Sequence, residues 1–146
     1  MKIKLFTIPN IITCFNLLMG CAALISAFRG ELKFAFWFIV AGAVFDFLDG
    51  LFARLLNQYS PVGKELDSLA DMVTFGTVPA VIMWQLLTPV AGANLALLGF
   101  LIAPMSALRL AKFNVDQRQT SEFIGLPTPA NAMFIASLVF LDFSFK

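Results

Sequence analysis

Residues 46–71 read DFLDGLFARLLNQYSPVGKELDSLAD, and this stretch places a polar turn between two apolar segments. It carries five of the nine acidic residues of the chain, and four of these five are the aspartates Asp46, Asp49, Asp67 and Asp71. An ionised carboxylate inside a bilayer is unfavourable unless it is paired, hydrated or bound to a cation. Four such groups kept together therefore indicate a metal site.

The rest of the chain has the composition of a membrane protein. Of its 146 residues, 60% are hydrophobic and 13% are charged, and the mean hydropathy is +0.87. Because one crossing needs about 20 apolar residues, the sequence predicts an all-α, polytopic transmembrane helical bundle of about five helices. The predicted segments are 11–28, 32–56, 65–87, 91–113 and 128–143. The first lacks the cleavage pattern of a removable signal peptide and is expected to remain as an anchor.

Lysine and arginine residues are unevenly distributed between the ends of these segments. With the N-terminus inside, three lie outside and seven lie on the cytoplasmic side, which satisfies the positive-inside rule. The seven are Lys2, Lys4, Arg54, Lys64, Arg109, Lys112 and Arg118. The acidic cluster is therefore expected to face the cytoplasm from the cell (inner) membrane. Because basic and aromatic residues do not alternate, no nucleic-acid partner is predicted.

Helical spacing places the four acids on two stripes. Asp46 and Asp49 are three residues apart on the second segment, and Asp67 and Asp71 are four apart on the third. A turn at 60–63, rich in Ser, Pro and Gly, is predicted to bring the two stripes together. Ligation by oxygen alone suits Mg²⁺ or Mn²⁺, and the absence of His in the sequence disfavours zinc. Two ions shared by four acids can clamp both oxygens of a phosphoryl transfer.

Small and basic residues continue the first stripe. Gly50 and Ala53 follow the acids at helical spacing, and their small side chains allow a phosphate to approach the helix backbone. Arg54 flanks the stripe, where its guanidinium can bind a phosphate through two hydrogen bonds. This arrangement predicts a diphosphate site.

The complete spacing, D-x2-D-G-x2-A-R-x8-G-x3-D-x3-D, resembles the signature of the CDP-alcohol phosphotransferase family at every fixed position. The resemblance implies a membrane enzyme that moves a phosphatidyl-type group from a CDP-linked donor to an alcohol and releases CMP, with two bound divalent ions, Mg²⁺ or Mn²⁺. It implies metal ligands at Asp46, Asp49, Asp67 and Asp71, with Asp71 also acting as the general base. It implies that the CDP group is bordered by Gly50, Ala53, Arg54 and Gly63, with Asn10 and Thr13 as further candidates.

Three shorter blocks concern the acceptor alcohol. They are the N-terminal Pro9-Asn10 with Thr13 and Asn16, RLAKFN at 109–114, and FIGLPTPA at 123–130. These blocks resemble those of the phosphatidylserine synthases of this family, which implies CDP-diacylglycerol as donor, L-serine as acceptor and a membrane-lipid setting. Arg109 is the expected partner of the serine carboxylate, because a guanidinium fork matches that group.

The resemblance also sets expectations for size and assembly. Family members usually have six or more transmembrane helices, so residues 1–146 are expected to form a single domain that is either C-terminally truncated or compact. The family implies a homodimer.

Two alternative functions remain open. The acceptor of a family enzyme can be a phosphorylated polyol, as in a phosphatidylglycerophosphate synthase; this needs extra basic residues, for which Lys64, Lys112 and Arg118 are the candidates. A divalent-cation transporter also places carboxylates within the membrane. Such a transporter has no need of Gly50, Arg54 and Gly63.

Overall fold

The computed structural model of the protein describes residues 4–116 and 125–141, which fold into helices joined by short connections. The prediction of an all-α bundle is confirmed. The helices are α1 (Ile8–Phe28), α2 (Leu32–Leu55), α3 (Pro61–Asp71), a π-helix (Met72–Thr77), α4 (Val78–Ala91), α5 (Ala93–Ala96), a 3₁₀-helix (Leu97–Leu101), α6 (Ile102–Val115), α7 (Thr128–Ser137) and a second 3₁₀-helix (Leu138–Phe140).

Four helical stretches within the described ranges are long and apolar enough to cross a membrane. They are Ile8–Phe28, Leu32–Leu55, Pro61–Ala91 and Ala93–Val115, and they correspond to the first four predicted segments. The fifth prediction, 128–143, corresponds to a shorter apolar helix, Thr128–Phe140; its predicted end lies outside the described residues. The protein is an integral membrane protein.

Two side-chain caps determine where the helices beside the polar turn begin. Thr7 precedes α1, and its hydroxyl accepts a hydrogen bond from the Asn10 backbone N–H at 3.4 Å. Ser60 precedes α3 and accepts from the Gly63 backbone N–H at 2.9 Å, with Pro61 as the first helical residue. Helix α1 therefore begins three residues earlier than predicted, and α3 begins four residues earlier, within the predicted turn.

Small residues allow the helices around the acidic stretch to approach closely. Helix α1 packs along α2, and the core between them contains Ala23, Ala27 and Ala35, all fully buried. The π-helix packs against both helices and contributes the fully buried Phe75. Because the π-helix directly follows α3, this packing anchors the end of α3 beside α1 and α2.

Gly42 tests this close packing. A Cβ added there would lie 2.6 Å from the Thr74 Cγ2 and 3.0 Å from the Asn16 Oδ1. We expect Gly42→Ala to lower the free energy of unfolding by about 1–3 kcal/mol through overpacking, measured as thermal unfolding in detergent. Gly50→Ala is the matched control, since its Cβ would have no neighbour within 4 Å. Equal stability of the two variants would contradict the close packing at Gly42.

Candidate metal centre and its two cavities

Three carboxylates meet between α2 and α3. Asp46 and Asp49 from α2, and Asp67 from α3, each offer an oxygen, and these oxygens lie within 4.8 Å of one another. Asp49 is buried and the other two are partly buried. Like charges at this separation repel one another unless a cation lies between them. The three side chains therefore form a candidate metal centre.

One carboxylate oxygen of this cluster is buried and accepts no hydrogen bond from the described residues. This oxygen is the Asp67 Oδ1. A buried carboxylate oxygen without a partner is strongly unfavourable, whereas a hard divalent cation is its natural ligand. The donor set is oxygen only, so the residues fit Mg²⁺ or Mn²⁺.

The fourth predicted ligand, Asp71, lies beside this group of three. It is the last residue of α3 and is 8% exposed. It lines the same cavity as Asp46 and Asp67, and its Oδ1 accepts a hydrogen bond of 3.1 Å from the Asn16 side-chain amide. Asp71 thus shares a cavity with two of the clustered acids and has a contact with α1 of its own, and its role as a fourth metal ligand stays a prediction.

The larger of two cavities at the acids has a volume of about 610 Å³. Its lining includes Asp49 and Asp67 of the acidic cluster. It also includes all six residues predicted to border the CDP group, which are Asn10, Thr13, Gly50, Ala53, Arg54 and Gly63. Gln58 and Tyr59, which the sequence analysis did not single out, line this cavity as well. Residues from α1, α2 and α3 therefore form one pocket next to the candidate metal centre.

The two glycines in this pocket differ in what their missing side chains allow. A Cβ at Gly50 would have no neighbour within 4 Å, so this face of α2 is open to a ligand. A Cβ at Gly63 would lie 2.9 Å from the Asn10 Oδ1 and 3.0 Å from the Ser60 Oγ. Gly63 is therefore needed for the packing of α3 against α1, in addition to lining the cavity.

Polar residues of α1 are held by protein contacts at the edge of the pocket. The Thr13 hydroxyl donates to the Asp49 Oδ2 at 2.6 Å, and the Asn10 side-chain amide donates to the Leu5 carbonyl at 2.9 Å. Thr13 therefore orients a clustered carboxylate, a role that its prediction as a CDP-pocket residue did not include.

A smaller cavity of about 290 Å³ adjoins the larger one at the acids. Asp46, Asp67 and Asp71 line it together with Arg109 from α6 and Thr128 from α7. The two cavities share Lys64, Asp67 and Phe113. The acids thus lie where a larger and a smaller compartment adjoin.

A pair of hydrogen bonds joins α6 to α3 at this boundary. The Lys64 ammonium donates to the Asn114 carbonyl at 2.8 Å, and the Asn114 side-chain amide donates to the Ser68 hydroxyl at 2.7 Å. Asn114 was named from the sequence only as the last residue of the RLAKFN segment, and Ser68 had no predicted role. Arg118, Phe123 and Ile124, which it also named, lie outside the described residues.

Comparisons with known proteins point to one family. The family model described as CDP-alcohol phosphatidyltransferase matches residues 6–144. A Bacillus subtilis protein named CDP-diacylglycerol–serine O-phosphatidyltransferase is 39% identical over 95% of this chain and 77% of its own length. Proteins of the same name from Helicobacter pylori (strain J99) and Methanocaldococcus jannaschii are 35% and 36% identical over 94% and 90% of this chain.

The chain covers 59% and 60% of the lengths of those last two relatives. No solved structure gives a significant match. The family match covers nearly all of the chain, and the acids and small residues of its signature surround one pair of cavities. The protein belongs to the CDP-alcohol phosphatidyltransferase family.

Proposed function

We propose that the protein transfers the phosphatidyl group of CDP-diacylglycerol to the hydroxyl of L-serine, which yields phosphatidylserine and CMP. The observation that carries this proposal is the meeting of a larger and a smaller cavity at one acidic cluster. A large donor in one cavity and a small acceptor in the other can then be bound side by side, so that the acceptor hydroxyl reaches a phosphorus of the donor. The names of the bacterial and archaeal relatives support serine as the acceptor.

The larger cavity is assigned to the CDP group. Arg54 supplies a positive charge there, and Gly50 leaves the α2 backbone open. A guanidinium binds phosphate oxygens through paired hydrogen bonds. The diphosphate would then lie beside Asp49 and Asp67, which line the same cavity.

The four aspartates are assigned two roles in the transfer, metal binding and proton removal. Asp46, Asp49, Asp67 and Asp71 would hold the divalent ions, two in number, and bound Mg²⁺ or Mn²⁺ would neutralise charge on the diphosphate. Asp71 takes the proton from the serine hydroxyl, which is a poor nucleophile without a base. The hydroxyl oxygen bonds to the phosphorus that carries diacylglycerol, the bond from this phosphorus to the bridging oxygen breaks, and CMP leaves.

The site is proposed to face the cytoplasm from the inner membrane. Arg54, Lys64 and Arg109 all lie around the two cavities, and basic residues concentrate on the cytoplasmic side of membrane proteins. Assembly as a homodimer is part of the proposal and is testable by crosslinking in membranes.

Arg109 is assigned to the serine carboxylate, because it adds a positive charge to the smaller cavity that Asp71 lines. We expect Arg109→Ala to raise the KM for serine by about tenfold to hundredfold, the equivalent of a hydrogen bond to a charged group. The KM for CDP-diacylglycerol should change little. Both values follow from CMP release in detergent or vesicles.

Lys112→Ala is the matched control for Arg109, since Lys112 is an exposed basic residue of the same helix. Its KM for serine should stay within about twofold, as surface substitutions usually change free energies by less than 0.5 kcal/mol. An unchanged KM for serine in Arg109→Ala would remove Arg109 from the acceptor site.

The function itself is tested by offering one acceptor at a time. The purified protein is incubated with CDP-diacylglycerol and Mn²⁺, together with serine, glycerol 3-phosphate or inositol, and CMP is measured. Serine alone should support CMP release with formation of phosphatidylserine. Release with glycerol 3-phosphate or inositol would change the acceptor, and Mn²⁺ flux into protein-containing vesicles without CMP release would favour a transporter.

A further inference from the structure

Asn16 is a fully buried polar residue in the middle of α1. Its side-chain amide donates to the Asp71 Oδ1 at 3.1 Å. Its backbone carbonyl accepts from the Thr74 hydroxyl at 3.1 Å. Asn16 therefore contacts both the last residue of α3 and the π-helix that follows it.

The two polar atoms of the Asn16 side chain have different surroundings. Its Oδ1 is buried without a hydrogen-bond partner among the described residues, and it lies 3.0 Å from the Cβ position of Gly42. A buried amide oxygen without a partner is unfavourable, so this arrangement needs compensation. The hydrogen bond to a carboxylate supplies it, since bonds to charged groups are the stronger ones.

Asn16 has no direct route to the substrates. The described residues that line the two cavities do not include it, and its exposed fraction is 0%. Asp71, by contrast, lines the smaller cavity. The hydrogen bond to Asp71 therefore links the buried Asn16 side chain to a residue that lines a cavity.

We propose that Asn16 is a positioning residue that holds one oxygen of Asp71 and thereby turns the other toward the acceptor hydroxyl. The proposal deepens the function given above and rests on it. A carboxylate has two oxygens, and restraint of one limits rotation of the whole group. The irregular π-helix begins immediately after Asp71, and such helices often accompany functional sites. The Thr74 hydroxyl bonds to the backbone carbonyl of Asn16, so the contact with the acid is made by the Asn16 side-chain amide alone.

The test compares two substitutions that each remove one buried hydrogen bond from this junction. Asn16→Leu keeps the branching of the side chain and removes the donor to Asp71, whereas Thr74→Val keeps the Asn16–Asp71 contact. We expect Asn16→Leu to lower kcat by about tenfold to hundredfold, the usual effect of losing an orienting partner. Its KM values for serine and CDP-diacylglycerol should stay within about twofold, because only a transition-state interaction is lost. Thr74→Val should keep kcat within about twofold.

Equal losses of kcat in the two variants, or no loss in Asn16→Leu, would overturn the proposal. If Asn16→Leu does not insert into membranes, Asn16→Ala removes the same donor without added volume and should show the same fall in kcat. Wild-type kcat in that variant would equally overturn the proposal.

A spectroscopic readout separates this inference from the proposed function. In protein labelled with ¹⁵N-asparagine, the side-chain amide signal that disappears in Asn16→Leu belongs to Asn16. It should shift in Asp71→Ala and stay in place in Thr74→Val. An unshifted signal in Asp71→Ala would refute the contact, whatever acceptor the enzyme uses, whereas a lack of CMP release from the unchanged protein would refute the function alone.

Discussion

Asp71→Asn is expected to abolish CMP release while the protein still folds and inserts into membranes. The amide cannot take a proton from the serine hydroxyl, and loss of a general base lowers rates by about 10²–10⁴-fold. The fold should survive, because the Asn oxygen can still accept the hydrogen bond that Asn16 donates to Oδ1. The measurements are CMP release with serine and thermal unfolding in detergent.

Glu65→Gln is the matched control for this prediction. Glu65 is an exposed acid on the same helix as Asp71, and the same chemical change there should leave the rate within about twofold. Near-normal turnover by Asp71→Asn would remove this residue from the mechanism. Loss of unfolding cooperativity in Asp71→Asn would instead assign Asp71 a structural role.

Asp67→Asn is expected to remove both metal dependence and activity. Asp67 carries a buried oxygen to which no described residue donates a hydrogen bond, and it lines both cavities. Its substitution therefore removes a ligand that faces both compartments. The wild-type protein should gain about 2.7 kcal/mol of stability at a Mn²⁺ concentration one hundred times the Kd. The variant should lose this gain, yet be no less stable than the wild type without metal, because one repelling charge is removed.

Thermal unfolding with and without Mn²⁺ measures this effect, and electron paramagnetic resonance of Mn²⁺ gives the affinity directly. Chelation of the wild-type protein should stop CMP release, and Mg²⁺ or Mn²⁺ should restore it. Glu31→Gln, at the far end of α2 from the cluster, should leave Mn²⁺ binding unchanged. Undiminished Mn²⁺ affinity in Asp67→Asn would contradict the assignment of the metal centre.

Local sequence was sufficient to predict the helices and the shared faces of the acids. Apolar runs of sufficient length specify membrane helices because backbone groups in lipid must bond within the helix. Helical periodicity then places Asp46 and Asp49 on one face of α2. The ends of helices were predicted less well, since the caps at Thr7 and Ser60 extended α1 and α3 beyond the apolar runs.

Contacts between distant residues were beyond such reasoning. No periodicity relates Asn16 to Asp71, 55 positions away, or Asn114 to Ser68, 46 positions away. Gly63 lines the larger cavity and also packs against Asn10. This second role likewise depends on how closely α1 approaches α3. These pairs arise only when helices pack at specific distances and rotations.

Apolar length and carboxylate spacing are local properties of the chain, so the sequence alone was enough to predict a helical membrane protein with a group of carboxylates that could hold a metal ion. The packing of the helices was needed to show that three of the acids bring oxygens within 4.8 Å of one another, that Asn16 contacts Asp71, and that the acids line two adjoining cavities of unequal size. The physical reason is that cavities and buried hydrogen bonds are formed by the packing of several helices, and the pattern of any one helix does not specify that packing.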